Sequence, residues 1–172
     1  TAPVRGVTIE ILQGAAGSTV LATTITNATG NYSTSIATSQ QFRVRAKAEL
    51  LKTGAAPTFN FKVLNNGSSN ALYVLDSPAT TPAGGTITVD LLARLGRNGT
   101  NGTNVTATRA SAPFAIIDTM YQKKEMLIAA APTLAMPAIN IYWATINTST
   151  SPNTCGGDPN PVTGQIGTTF FL

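Results

Sequence analysis

Few side chains in this sequence can do chemistry, and their spacing limits what that chemistry would be. Asp118 and Glu125 stand seven residues apart in a stretch of helical periodicity, which puts two carboxylates on a similar helix face, as a general acid and base would require. Lys124 stands beside Glu125, so ordinary helix surface charges are the competing reading. In "NTCGGDPNP" the oxygens of Asn153, Asp158 and Asn160 suit a hard cation such as Ca²⁺, although one carboxylate makes a poor ligand set. Cys155 in the same stretch has no neighbouring Lys, Arg or His to lower its pKa, which points to an inert thiol or one that pairs between chains. Arg43, Arg45 and Lys47 alternate in "QFRVRAKAEL" and share one strand face. They form either an anion-binding stripe for a polysaccharide or other polyanion, or the solvated side of a half-buried sheet. Tyr142 and Trp143 lie on an expected strand, where they pack between helix and sheet or offer a platform to a carbohydrate.

Asn27, Asn31, Asn66, Asn98, Asn101, Asn104 and Asn147 each begin an Asn-x-Ser/Thr triplet, the acceptor for N-glycosylation. A chain rich in Thr and Asn also makes such triplets by chance. Asn98, Asn101 and Asn104 are the densest group and fall in an expected loop, so they are the preferred glycan acceptors.

What is absent restricts the chemistry further. There is no histidine, so no Ser-His-Asp triad, Cys-His pair or His-ligated zinc can be built from these residues. One cysteine excludes an internal disulfide and a Cys-clustered metal site. No catalytic residue, metal or cofactor is expected, and the chain is read as not an enzyme. Eleven basic and seven acidic residues give a net charge of +4, too mild and too dispersed for nucleic acid. No apolar run reaches the ~18–20 residues of a membrane span. Only 10% of residues are charged, and hydroxyl and amide side chains fill the gap, a composition typical of secreted or cell-surface β-proteins.

The elements that would position these residues are mostly strands. The 172 residues suit one domain with an extension. "VRGVTIEIL" puts Val7, Ile9 and Ile11 on one face, and "QFRVRAKAEL" alternates Phe42, Val44, Ala46 and Ala48 against charges. "TVLATTITN", "NYSTSIA", "TFNFKVL", "ALYVLD" and "TITVDLLARL" add further period-two runs bounded by Gly, Asn, Pro and Ser. In "TNATGNYSTS", Gly30 separates two such runs, where a reversal needs positive φ, so the stretch reads as a hairpin turn. The expected fold is mainly β, an antiparallel sandwich over residues 1–96. A polar Gly/Asn/Thr linker or loop follows at 97–110, then an extension over 111–172 holding one helix and two or three strands. That helix is expected from about Pro113 to Ala130 with Ser111 as N-cap, followed by a strand at Ala138–Ile146 and a last strand, "QIGTTFFL".

Gly6, Val7, Ile9 and Ile11, then Thr26, Gly30 and Tyr32, resemble the "G-x-x-V-x-L" strand and "T-x-x-x-G-x-Y" turn of the carboxypeptidase regulatory-like domain. That resemblance implies a transthyretin-like (Ig-like) β-sandwich of secreted bacterial proteins, over about the first half of the chain. The second half, "APFAIIDTMYQKKEMLIAA…INIYW…GQIGTTFF", looks like the segment that leads into a zinc-peptidase-like domain in large secreted bacterial proteins. The His-Glu-x-x-His helix of such domains is not in this sequence, so the resemblance implies a neighbour and no catalytic residue.

The family opens with a strand ahead of the "PVRGVTIEIL" position, whereas Thr1 stands three residues before Val4. A sandwich lacking a strand exposes unpaired backbone groups and part of its core, and strand donation repairs it. Val4, Val7 and Ile9 at one end and Phe170, Phe171 and Leu172 at the other are the expected assembly strands. The expected function is a non-catalytic, extracellular or cell-surface structural module, the subunit of a filament held by strand complementation between subunits. The alternatives are an accessory region of a larger secreted zinc-metallopeptidase-like protein and a carbohydrate- or surface-binding adhesin module. The expected partners are copies of itself or a neighbouring domain, with glycans as further candidates.

Overall fold

The computed structural model describes residues 2–37, 39–82, 84–95, 97–98, 104–105, 109–145 and 147. In chain order the elements are β1 Thr8–Gln13, β2 Val20–Ile25, β3 Phe42–Lys47, β4 Glu49–Lys52, β5 Thr58–Asn65, β6 Ala71–Leu72, β7 Val74–Asp76, β8 Arg97–Asn98, β9 Asn104–Val105, α1 Ser111–Ala130 and β10 Ala135–Tyr142. The fold is mainly β, with two principal sheets and one helix among the described residues.

The first sheet runs β2-β1-β3-β7 and is antiparallel throughout. Its alternation is the one the sequence shows: Ile9 and Ile11 of β1 and Phe42, Val44 and Ala46 of β3 point into the core. The second sheet is built on β5, which pairs antiparallel with β4 and β6 and parallel with β10. A parallel neighbour needs a crossover rather than a hairpin, and α1 lies on that crossover.

The two sheets meet at a corner where two chain segments change sheet. Ala48 sits between β3 and β4, and Tyr73 sits between β6 and β7. Ala48 N–H donates to Tyr73 O at 2.9 Å, Tyr73 N–H to Val63 O at 3.1 Å, and Val63 N–H to Ala48 O at 3.0 Å. These bonds keep backbone groups paired where neither ladder is continuous. "ALYVLD" is therefore two short strands in different sheets rather than one.

The helix begins at Ser111, with Ala110 in the N-cap place and no side-chain cap, so Ser111 is inside the helix rather than capping it. Phe114 and Ile117 are buried in the same hydrophobic cluster as Val7, Val44, Leu50 and Phe61. The segment after residue 110 thus shares one core with the strands before it. Gly6, at φ +68°, admits the Tyr121 ring so closely that a Cβ there would lie 2.6 Å from Tyr121 Cδ2. No described helix is long and apolar enough to cross a membrane.

Candidate functional site

"NYSTSIA" and "TITVDLLARL", both expected as strands, belong to no ladder among the described residues. The burial of the second nevertheless keeps the strand period. Ile87, Val89, Leu91 and Ala93 are partly buried while Thr86, Thr88, Asp90, Leu92 and Arg94 are exposed. Tyr32 and Ile36 likewise pack on the core from the other segment. The physical reason for the difference is local: side-chain alternation needs only an apolar surface to lie on, whereas a strand needs a partner backbone.

The surface they lie on is the inner face of the first sheet. Together with that face and Ala2, Pro3 and Val4, residues 28–36 and 84–95 line a cleft of about 1810 Å³. Its floor is formed by Ile9, Ile11, Phe42, Val44, Ala46 and Leu75. The floor is not open to water, since Ile9 and Val44 are each only 1% exposed. The sequence expectation of an exposed core is thus corrected: the inward side chains of the two segments cover the core, while among the described residues their backbones join no ladder.

The turn that delivers the first segment is well made. Asn27 N–H donates to Asn31 O at 2.8 Å, and Gly30, at φ +79°, donates to Asn27 O at 3.0 Å. Asn27 Oδ1 accepts from Thr29 N–H, Thr29 Oγ1 and Asn31 N–H. Beyond it, Tyr32 Oη donates to Val89 O at 2.5 Å. That is the one hydrogen bond linking the two segments among the described residues, and burial pushes the Tyr32 hydroxyl pKa up, keeping it a donor. Arg94 O accepts from Ser111 N–H at 3.0 Å, which anchors the second segment to the helix start.

The assembly residues expected from the sequence divide. Ile9 is in β1, whose two edges are occupied by β2 and β3, so it offers no free edge for an added strand. Val7 is core, bonded through its N–H to Thr26 Oγ1 at 3.1 Å, and Val4 O accepts from the same hydroxyl at 2.8 Å. Phe170, Phe171 and Leu172 lie outside the described residues, as do Cys155, Asn153, Asp158, Asn160 and Asn101.

The basic stripe is not free. Arg45 bonds Asp76 at 2.7 and 2.8 Å, and Arg43, buried at 6% exposure, bonds Asp76 at 3.1 Å and Gly14 O at 3.2 Å. Lys47 reaches Glu10 at 3.1 Å and Glu49 at 3.3 Å, and Lys62 reaches Glu49 at 3.7 Å. Four cations therefore share three carboxylates across the outer face of the sheet corner. Among the described residues no group of three or more Cys, Asp or Glu is placed to hold a metal.

Asp118 and Glu125 are committed to different partners. Asp118 accepts from Arg5 Nε at 2.8 Å, Arg5 Nη2 at 2.6 Å and Arg5 N–H at 3.1 Å, tying the segment just before β1 to the helix. Glu125 pairs with Lys124, a buried lysine that the sequence did not single out and that lies 4.4 Å from the Tyr121 ring and 4.8 Å from the Phe59 ring. Asn66 Nδ2 donates to Asn147 Oδ1 at 2.8 Å, so two of the glycosylation triplets are engaged with each other. Asn98 and Asn104 are backbone register partners in the β8–β9 pair. Trp143 packs on Tyr73, with Tyr142 half exposed.

The aspartates make stability pH-dependent. Hydrogen bonds from Arg5 hold the Asp118 carboxyl below its ordinary value, and hydrogen bonds from Arg45 do the same for Asp76. A depressed carboxylate stabilises the fold above its unfolded pKa and loses that contribution as pH falls through the folded value. Melting temperature is expected to hold from pH 8 to 5 and to drop below about pH 4. In Asp118→Asn the melting temperature at pH 6 should be lower and the acid drop shallower, which thermal melts across this range would measure.

Comparison with protein-family models, with curated proteins and with solved structures finds no match to this chain.

Proposed function

We propose that this chain is a non-catalytic structural module of the extracellular space or cell surface whose β-sandwich is completed by a strand from another chain. One observation carries this reading. Residues 86–95 have the burial pattern of a strand over a finished apolar floor, and Tyr32 and Ile36 of residues 31–37 pack on the same core, yet the two segments form no ladder with each other or with either sheet among the described residues. Backbone N–H and C=O groups in a folded layer require partners. Neighbouring strands stand about 4.8 Å apart, and these segments are bridged by the whole length of a tyrosine side chain. An added strand would pair with both and turn two covering segments into a three-stranded layer. Apolar packing onto the floor and main-chain bonds along both edges are the usual sources of affinity in strand addition. Head-to-tail contacts of this type extend into filaments when they do not close.

Amide hydrogen exchange tests it. In dilute chain the amides of Ile87, Val89 and Leu91 are expected to exchange far faster than those of β1 and β3, and to become protected when native assemblies form, with filaments visible by electron microscopy. Full protection of these amides in a dilute monomer would sink the reading, since the place would then be filled from within.

A second reading has its own observation. Ala2, Pro3 and Val4 are among the residues that line the cleft, so a strand preceding them in a longer polypeptide would start beside it. That arrangement suits an accessory region of a larger secreted zinc-peptidase-like protein. Intact mass of native material separates the two: a species near 17.7 kDa supports the subunit, and a much larger chain supports the accessory region.

A further inference from the structure

We propose that Asn27 is an N-glycosylation acceptor, and that it takes its oligosaccharide with the turn already folded. The proposal rests on the extracellular reading above, since the Asn-x-Ser/Thr triplet serves as an acceptor in secreted chains. It adds a covalent site that strand completion does not need.

The geometry of the turn sets Asn27 apart. Asn27, Ala28 and Thr29 are all exposed. Asn27 Oδ1 accepts from Thr29 N–H at 2.9 Å, from Thr29 Oγ1 at 2.8 Å and from Asn31 N–H at 2.9 Å. A main-chain N–H can only donate, so two of these bonds fix which end of the side-chain amide is oxygen. Oxygen and nitrogen diverge from Cγ in the planar amide, so an oxygen turned into the loop directs Nδ2 away from it. The Thr29 hydroxyl, the other group the triplet requires, already stands beside the acceptor amide. N-glycosylation replaces one Nδ2 hydrogen and keeps the carbonyl. All three bonds to Oδ1 therefore survive the modification, and the turn does not have to open to carry a sugar.

The neighbouring and paired triplets lack this arrangement. Asn31 Nδ2 is itself engaged, donating to Thr29 Oγ1 at 3.2 Å. Asn66 Nδ2 donates to Asn147 Oδ1 at 2.8 Å, and Asn66 Oδ1 is buried, so a sugar on Asn66 would have to displace the partner amide.

The co-substrate is an oligosaccharide linked through its anomeric carbon to a lipid diphosphate, brought by an oligosaccharyltransferase. Asn27 Nδ2 forms a bond to that carbon as the bond from the carbon to the diphosphate oxygen breaks. The lipid diphosphate leaves with the electron pair, and one Nδ2 proton passes to a base of the transferase. No oxidant or reductant is involved.

Two measurements on full-length protein test this. In native material, trypsin releases Gly6–Arg43, which holds both Asn27 and Asn31. Enzymatic release of the glycan by an amidase in heavy-oxygen water should convert Asn27 to labelled aspartate, located by fragmentation of that peptide. A bare Asn27 overturns the proposal, whatever the other triplets carry. A label on another triplet then keeps the extracellular reading, and amide exchange at Val89 judges strand completion in either case.

The second measurement incubates folded, sugar-free chain with a single-subunit oligosaccharyltransferase and its lipid-diphosphate oligosaccharide. Transfer to Asn27 is expected, with loss in Thr29→Val and recovery in Thr29→Ser. Amide exchange of β1 and β3 checks the fold of each variant. A folded chain left unmodified at Asn27 overturns the proposal, and modification of free Gly6–Arg43 in the same mixture would assign that failure to the turn.

Discussion

Ile117→Ala is expected to lower stability by about 2–5 kcal/mol, the usual range for emptying a buried aliphatic site, and to weaken both sheets along with the helix. Ile117 is 0% exposed and sits in one cluster with Val7 and Val44 of the first-sheet side and Leu50, Phe61 and Val63 of the second. Truncation leaves a cavity touching both, and the surrounding close packing relaxes only in part. Against a total stability of about 5–15 kcal/mol, the loss is a large fraction. The transition should also stay single. Far-UV circular dichroism at helix wavelengths and the emission of Trp143, the one tryptophan in the sequence, should report the same denaturant midpoint. A helix signal lost well before the tryptophan signal would show that the segment after residue 110 is a separate unit after all, as the linker-like composition of residues 97–110 suggests when read alone.

Asp76→Ala is the second large expected effect, about 2–4 kcal/mol, because it strands a buried cation. Arg43 has only 8% of its side chain exposed, and after the change it would keep Gly14 O as a partner. Arg45 also bonds Asp76 but its side chain is 28% exposed, so water can replace the carboxylate. The contrast is the informative part. Arg45→Ala should cost less than about 1 kcal/mol, whereas Asp76→Ala should cost several times that. Combining Asp76→Ala with Arg43→Met, which removes the stranded charge, should recover a good part of the loss in urea denaturation. Equal small effects for all three would mean the network does not hold the sheet corner, and the three basic residues would again be available as an anion-binding stripe.

Much of the strand pattern was legible because side-chain alternation is written locally. The inward sets of β1 and β3 follow directly from "GVTIEI" and "QFRVRA", and the helix from Phe114, Ile117 and Tyr121. The turn at Gly30 was legible for the same reason, since positive φ is a property of the residue itself. The candidate site was half legible. "TITVDLLARL" announces which side chains go inward, and they do, but nothing in it says whether a partner backbone stands alongside. The ion pairs were not legible either. Arg43 and Asp76 are thirty-three residues apart, and their meeting depends on β7 joining the edge of β3. Lys124 gave no signal at all: it reads as surface charge until Tyr121 and Phe59 are seen beside its ammonium group.

By itself the sequence determined the residue period, the turns, the single helix, and the poverty of reactive groups that follows from having no histidine and one cysteine. Tertiary structure alone decided that β10 runs parallel to β5, that α1 shares the core of the sandwich, that the basic stripe is neutralised, and that residues 31–37 and 86–95 join no ladder among the described residues. The reason is that period and turn chemistry are set by neighbours a few bonds away. Pairing, charge compensation and vacancy are set by which distant backbones and side chains the closed fold brings within hydrogen-bonding distance.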